Sequence, residues 1–452
     1  MSRRTLAAVL VVLAAALVGA LRSSATELPG DFLRYHRAGR MVVRGDAAHL
    51  YDVQWLRAQR VYAEERAAEK AERGADADPY AEYEFKYVPA MACLMAPLGA
   101  LHPRTAVVLW GAWNAALLAL LVIASWRAAA LLDVPRVWLL VPLAVLARSI
   151  NDNQNLGQLN PSAIVPATLG LLLVARRRDV AGGALLAWGA VVKYMPVFLL
   201  PWLLWKRCWR AAATCVVGIV VLAAGLPALV FGPRAALELH RTYVDVRAHH
   251  FTSSTSPDLP GHSIKSFLYR VFGTTHYKTG AGPKAVDIDV SLVHLPPPLL
   301  QWGTLALAAL VLAWVLRRSG RALRPASDPG SALEHGLALA WLLLASPEAR
   351  APHFLYETLL ACAAVALLVR AWRTPAPRPR ALVVATVCAV LWAVLHNLDT
   401  SKLGRFGNTA SALCALGWGT AALMTAAVLA ARVLATRDAP ADAAPLSGAP
   451  AA

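Results

Sequence analysis

Runs of apolar residues long enough to cross a bilayer recur from one end of this 452-residue chain to the other. A bilayer's hydrocarbon core is about 30 Å thick, and a helix spans it with about 20 apolar residues. Lipid offers no water to unpaired backbone N–H and C=O groups, so such runs must close their hydrogen bonds internally, as helices. The runs lie near residues 5–21, 87–101, 105–126, 131–147, 161–175, 180–205, 211–231, 297–316, 331–346, 353–370, 381–397 and 409–431, about twelve in all. The expected class is all-α, a polytopic integral membrane protein. Only 16% of residues are charged, where a soluble domain carries about a quarter.

The formal net charge of +17 does not point to nucleic acid. The arginines gather in short loops between apolar runs, which is how orientation is written into membrane proteins. "KRCWR" (206–210), "RRSGRALR" (317–324) and "RAWRTPAPRPR" (370–380) contain no acids and are expected on the cytoplasmic side, with Arg3 and Arg4 holding the N-terminus there. The organisation that follows is a signal-anchor helix over 1–22, a first outer loop over 23–86, membrane helices over 87–231, a second large outer loop over 232–296, further membrane helices over 297–431, and a polar, Ala/Pro-rich tail over 432–452. The start resembles a secretory signal peptide, but its apolar run is long and the rest of the chain is also apolar, which favours an uncleaved anchor. One conflict stands in this scheme. With twelve single crossings, "RRR" at 176–178 falls on the outside. Either the run 180–205, broken by Lys193 and Pro196, is two half-helices, or 87–101 is re-entrant. The six cysteines are scattered, mostly inside apolar runs, with no metal or loop-disulfide spacing.

The first outer loop reads as helical. Arg34, Arg37, Arg40 and Arg44 recur at helical spacing beside Phe32, Leu33, Tyr35, Met41 and Val42, a pattern that predicts a helix lying on the membrane face. Residues 53–73 read as a second, strongly charged helix, a solvated cap on the bundle.

Within this frame a few residues stand out. Asp31, at the expected start of the first loop helix, reads as an N-cap or as a carboxylate at the membrane boundary, ready to take a proton; the two are compatible. Lys193 lies in "WGAVVKYMPV", an otherwise apolar run. An intramembrane lysine is costly and is a functional residue by default; the bland alternative is snorkelling to an interface. Gln158 and Asn160, beside Pro161 in "GQLN", either hydrogen-bond sugar hydroxyls or tie helix ends. Tyr87 and Lys86 in "FKYVP" read first as an interfacial anchor. "HH" at 249–250 with Asp245 reads as solvated side chains rather than a metal site. There is no G-x-x-x-x-G-K-[ST] phosphate loop and no H-E-x-x-H.

Seven stretches come in a particular order: "GDFLRYHRAGRMVVRGDAAHLYD", "FKYVPAMACLMAPLGAL", "LWGAWNAALLAL", "LGQLNPSAIVPATLGLLLVARRR", "AGGALLAWGAVVKYMPVFLLPWLLWKRCWRA", "HSIKSFLYR" and "ASPEARAPHF". Together they resemble glycosyltransferase family 87 of the GT-C superfold, whose best-known members are polyprenol-phosphate-mannose-dependent α-mannosyltransferases. The resemblance covers residues 5–430 and rests on order and spacing more than on any one motif.

The resemblance implies a GT-C type fold with two large outer loops in the plasma membrane. It implies a polyprenyl-phosphate sugar donor, a lipid or glycan acceptor, an inverting reaction on the outer face, and no cofactor. It also implies a general base in the first outer loop, where the matching residue here is Asp31. A departing phosphate needs positive charge and hydrogen-bond donors. The residues expected to supply them are Lys193, with Arg270 and Lys265 of "GHSIKSFLYR"; the alternative for the last two is ordinary loop charge. His262 joins Gln158, Asn160 and Tyr87 as a sugar or acceptor contact. His353 is expected near the reaction centre, where the family carries a histidine, with Arg350 a weaker candidate. Among other classes, a transporter or lipid flippase would use Lys193 and Arg270 along a substrate path, but no inverted repeat is visible. A scaffold protein leaves Lys193 and Asp31 without a reason.

Overall fold

The computed structural model describes residues 28–59, 85–253, 261–279, 286–347, 349–374, 379–398 and 400–437. The expected signal anchor over 1–22, most of the charged helix over 53–73 and the tail beyond 437 lie outside these residues. Fifteen helices carry the argument: α1 (Gly30–Arg44), α2 (Pro89–Gly99), α3 (Pro103–Ala129), α4 (Leu140–Leu156), α5 (Asn160–Ala175), α6 (Asp179–Val192), α7 (Trp209–Phe231), α8 (Pro233–Ser253), α9 (Ile264–Val271), α10 (Pro297–Ser319), α11 (Ser331–Ala345), α12 (Thr358–Arg373), α13 (Arg380–His396), α14 (Thr400–Ala412) and α15 (Ala415–Arg437). A small antiparallel ladder, β1 (Tyr277–Thr279) with β2 (Val286–Ile288), lies between α9 and α10, its register set by Lys278 opposite Asp287.

Five helices are long and apolar enough to cross a membrane: Pro103–Leu132, Trp209–Phe231, Pro297–Ser319, Ala351–Arg373 and Ala415–Thr436. Six shorter apolar helices join them, so the described residues do not show the expected count of about twelve full-length crossings. Two segments account for much of the difference. The apolar run 87–101 forms only the 11-residue α2, which at 1.5 Å per residue reaches about 17 Å, short of a bilayer. The run 180–205 is broken: α6 stops at Val192, Lys193 is extended (φ −152°, ψ 121°), and a 3₁₀ turn, Met195–Leu199, leads into Leu200–Trp205.

That break also resolves the position of "RRR". The chain descends through α5, turns at Arg176–Arg178 and returns through α6, so these arginines lie at the far end from Asn160 and Lys193. Ala326 N–H donates to the Ala175 carbonyl, which places the turn beside the loop after α10. From Lys193 the chain runs back to Lys206, which donates to the carbonyls of Ser319 and Ala322. The basic stretches 176–178, 206–210 and 317–324 therefore share one end of the bundle.

The apolar face of the first loop helix is packed inside the protein. Phe32, Leu33, Tyr35, His36, Arg37, Ala38, Gly39 and Met41 of α1 are buried, and α1 crosses α2 at van der Waals distance. A Cβ on Gly39 would fall 2.2 Å from the Met95 carbonyl oxygen, and one on Gly99 would fall 2.3 Å from the Arg40 nitrogen. Two glycines thus let the helices touch backbone to backbone. This pair, with the start of α3, forms a core of its own around Phe32, Leu33, Met91, Met95 and Trp110. A larger core joins α5, α6, α11 and α12.

Candidate active site

The α1–α2 unit, the α4–α5 turn, the break at Lys193 and the turn before α12 meet in one cleft. Asp31, Arg34, Lys86, Tyr87, Gln158, Lys193, Tyr194, Tyr243, Arg350 and His353 line it. Asp31 is the second residue of α1, and Pro29 occupies the N-cap with no side-chain hydrogen bond. The cap reading of Asp31 is therefore replaced: its carboxylate instead accepts from Arg34 Nη1 at 3.1 Å and from Gln158 Nε2 at 2.5 Å. Its side chain remains 17% exposed, toward the cleft.

The Gln158 bond is the first link of a chain. Asn160 Nδ2 donates to Gln158 Oε1 at 2.9 Å, and Lys193 Nζ donates to Asn160 Oδ1 at 2.6 Å. Lys193 Nζ in turn lies 2.6 Å from His353 Nε2. The other ring nitrogen, His353 Nδ1, accepts the Arg350 backbone N–H at 2.8 Å, which leaves a neutral ring its proton on Nε2. The bonds from Lys193 through Asn160 and Gln158 all donate in one direction, toward Asp31. Of the two readings for Gln158 and Asn160, the described contacts support tying elements together.

Local sequence explains the placement. Gly157 adopts φ +63°, and a Cβ there would sit 2.7 Å from Phe32 Cβ. A glycine is required both for the turn and for close approach to α1. Trp110 Nε1 donates to the Gly157 carbonyl at 2.8 Å and Asn114 Nδ2 to the Gln158 carbonyl at 3.1 Å. Pro161 follows at the first turn of α5, where its missing N–H costs no helix bond. On the opposite wall, Tyr87 and Tyr35 hydroxyls are 3.0 Å apart, and Tyr51 Oη donates to the Tyr87 carbonyl at 2.7 Å. Burial, with Tyr87 and Asp31 nearby, raises the Tyr35 pKa well above its usual value, so its hydroxyl stays protonated.

The structure thus brings Asp31, Tyr87, Gln158, Asn160, Lys193 and His353 together. It does not bring Arg270, Lys265 or His262 to the cleft. Arg270 is 2% exposed, and its guanidinium donates to the carbonyls of Gly261, Ser411 and Ala412; it stitches α9 and the segment before it to α14. Lys265 lies over the Tyr269 ring. His262 is buried edge-on against Phe354, one layer behind His353. The family's order of motifs located these three in sequence but not in depth. Arg34, Tyr194 and Tyr243 were not singled out as site residues. Arg34 was readable, since position i+3 from Asp31 shares a helix face. Tyr243 reaches the cleft from α8, far along the chain, and carries no local signal.

Helices long and apolar enough to cross a membrane thus accompany a cleft in which a carboxylate lies beside lysine, arginine and histidine side chains. The family model for glycosyltransferase family 87 matches residues 85–347, more than half of the chain, and the chain belongs to this family: it is a membrane glycosyltransferase. Asp31 and His353 both lie outside the matched residues, yet both line the cleft beside Tyr87, Gln158 and Lys193 from within them. No curated protein and no solved structure matches the chain.

Proposed function

We propose that the protein transfers a hexose, mannose by family resemblance, from a polyprenyl-phosphate sugar to a lipid or glycan acceptor on the outer face of the plasma membrane, with inversion. The observation that carries this reading is the placement of one carboxylate opposite several cationic side chains in a single cleft. Asp31 takes the proton of the acceptor hydroxyl. The acceptor oxygen then bonds to the sugar's anomeric carbon as the bond from that carbon to the phosphate oxygen breaks. The polyprenyl phosphate leaves with the electron pair and needs no proton of its own. It needs positive charge and hydrogen-bond donors held in advance, and Arg34, Lys193 and Arg350, with the His353 ring, line the same walls. Tyr87 and Tyr243 supply flat surfaces and hydroxyls for the sugar. Gln158 and Asn160 position Asp31 and Lys193. The end that carries the basic loops is the cytoplasmic one by the charge rule, and the cleft lies at the other end, where a lipid-held sugar is met at headgroup depth.

The test is transfer by the purified protein in lipid, offered a panel of radiolabelled polyprenyl-phosphate sugars with host lipid extract as acceptor. Transfer by wild type and loss of about 10²–10⁴ in rate for Asp31→Asn, the scale of a general base, is the expected result. Equal transfer by both proteins would remove Asp31 as base. No transfer from any donor, with acceptor shown to be present, would move the reading to transport of a glycolipid.

A further inference from the structure

A cavity of about 410 Å³ lies at the opposite end of the bundle from the cleft. It sits among the first turns of α11, the last turns of α12 and α15, and the loop after α10. Four arginines line it: Arg318, Arg324, Arg370 and Arg432. Two acids are present, but both are already engaged. Asp328 accepts from Arg324 Nη1 at 3.1 Å and from Gly330 N–H at 2.7 Å. Glu334 pairs with the buried Lys206 at 2.7 Å. Arg370 and Arg432 have no acidic partner among the described residues. The cavity therefore presents uncompensated positive charge, and its deeper wall is apolar, formed by Leu367 of α12 and Val428 of α15.

A soluble anion would use the charge and leave the apolar wall wet. A phospholipid uses both. The site stands at helix ends beside the basic loops, the level at which cytoplasmic headgroups lie. Guanidinium forks match phosphate oxygens two at a time. We propose that this cavity binds an anionic phospholipid of the cytoplasmic leaflet, its headgroup phosphate between Arg370 and Arg432 and the upper part of an acyl chain against Leu367 and Val428. The inference stands apart from the reading of the cleft, since neither site shares a residue with the other.

The experiment is native mass spectrometry of the full chain in detergent, titrated with phosphatidylglycerol or phosphatidylcholine. Wild type should retain phosphatidylglycerol at concentrations about tenfold or more below those needed for phosphatidylcholine, as expected for basic residues held at a membrane surface, and Arg370→Gln with Arg432→Gln should abolish the preference. Arg317→Gln with Arg373→Gln removes the same charge from neighbouring positions that do not line the cavity, and should keep the preference. Equal retention of both lipids by wild type would overturn the proposal. So would a preference that survives in the cavity variant or is lost in the neighbouring one. Displacement of phosphatidylglycerol by millimolar inorganic phosphate would mark the site as one for a soluble anion and not a lipid. A conservative pair, Arg370→Lys with Arg432→Lys, guards against misfolding and should keep most of the preference.

Discussion

Asp31 and Glu357 are both carboxylates at the cleft end of the bundle, and each accepts hydrogen bonds from side chains that come from distant elements. Glu357 lies four residues after His353. It accepts from Trp392 Nε1 at 2.9 Å, from the Thr420 hydroxyl, and has His396 Nε2 at 3.1 Å from the same oxygen as Trp392. Its side chain is 0% exposed, against 17% for Asp31. The difference lies in what surrounds each network. Three helices close over Glu357, and both its oxygens are engaged in holding α12, α13 and α15 together. Asp31 is gripped by Arg34 and Gln158 and still opens to the cleft. A carboxylate that must receive a proton has to be both fixed and reachable; one that only joins helices has to be fixed and dry.

The sharpest way to break this comparison is to disable each acid and read two quantities. Asp31→Asn should lose turnover by about 10²–10⁴ while its melting temperature in detergent stays near wild type, because the amide keeps an acceptor for Gln158. Glu357→Ala should do the reverse. Removing one partner of a buried charged network costs about 3–5 kcal/mol, so its melting temperature should fall clearly, while the fraction that remains folded turns over at close to the wild-type rate. If the folded Glu357→Ala protein is as inactive as Asp31→Asn, the two networks are not separate and the contrast fails.

A smaller effect tests the relay. Lys193→Met removes the junction between His353 and Asn160. Its loss should lower the rate by about 10²–10³, the cost of one donor aimed at a leaving oxyanion. Asn160→Ala leaves both charges and breaks only the link between them. It should cost less than Lys193→Met, and the double variant should lose less than the sum, since neighbours in one network are not additive. Strict additivity, measured on donor turnover, would show that Asn160 and Lys193 act independently and that the chain of bonds transmits nothing.

Much of the cleft was legible in the sequence for a physical reason. Lys193 breaks an apolar run and Asp31 follows one, so cost alone marks them. Gln158 and Asn160 flag themselves beside a glycine and a proline at a span boundary. The same rule of cost, applied evenly, also marks Glu357 in "PHFLYETLL" and Glu334 in "SALEHGLAL", neither of which was singled out. The fold was legible as a class but not as a count. Hydropathy cannot tell an 11-residue helix packed on α1 from a crossing, and Lys193 with Pro196 marked the break in the run 180–205 only as one of two ways to place "RRR". Depth was the least readable quantity. Arg270 has the residue type and the order expected of a phosphate ligand, and only the three carbonyls around it show that its donors are spent.

The gentlest test concerns His262, which sits behind the sealed network: its ring meets Phe354, and Phe354 meets His396. Burial lowers the His262 pKa well below 6.5, and Arg270, Arg148 and His396 add to the effect; its Nδ1 has no hydrogen-bond partner among the described residues. The folded ring therefore stays neutral where the unfolded one takes up a proton. The sign follows from linkage: below about pH 6.5 the unfolded state binds the extra proton, so stability falls as pH falls, by at most about 1.4 kcal/mol per pH unit, and is flat above. Melting temperature should drop between pH 7 and pH 5 in wild type and drop less in His262→Asn. Because His262 lies behind the cleft and not in it, the pH profile of turnover by the folded protein should be the same in both. Identical melting slopes would show that some other group carries the acid sensitivity. A shifted turnover profile would place His262 in contact with the reaction after all, and with it erase the boundary drawn between the open and the sealed network.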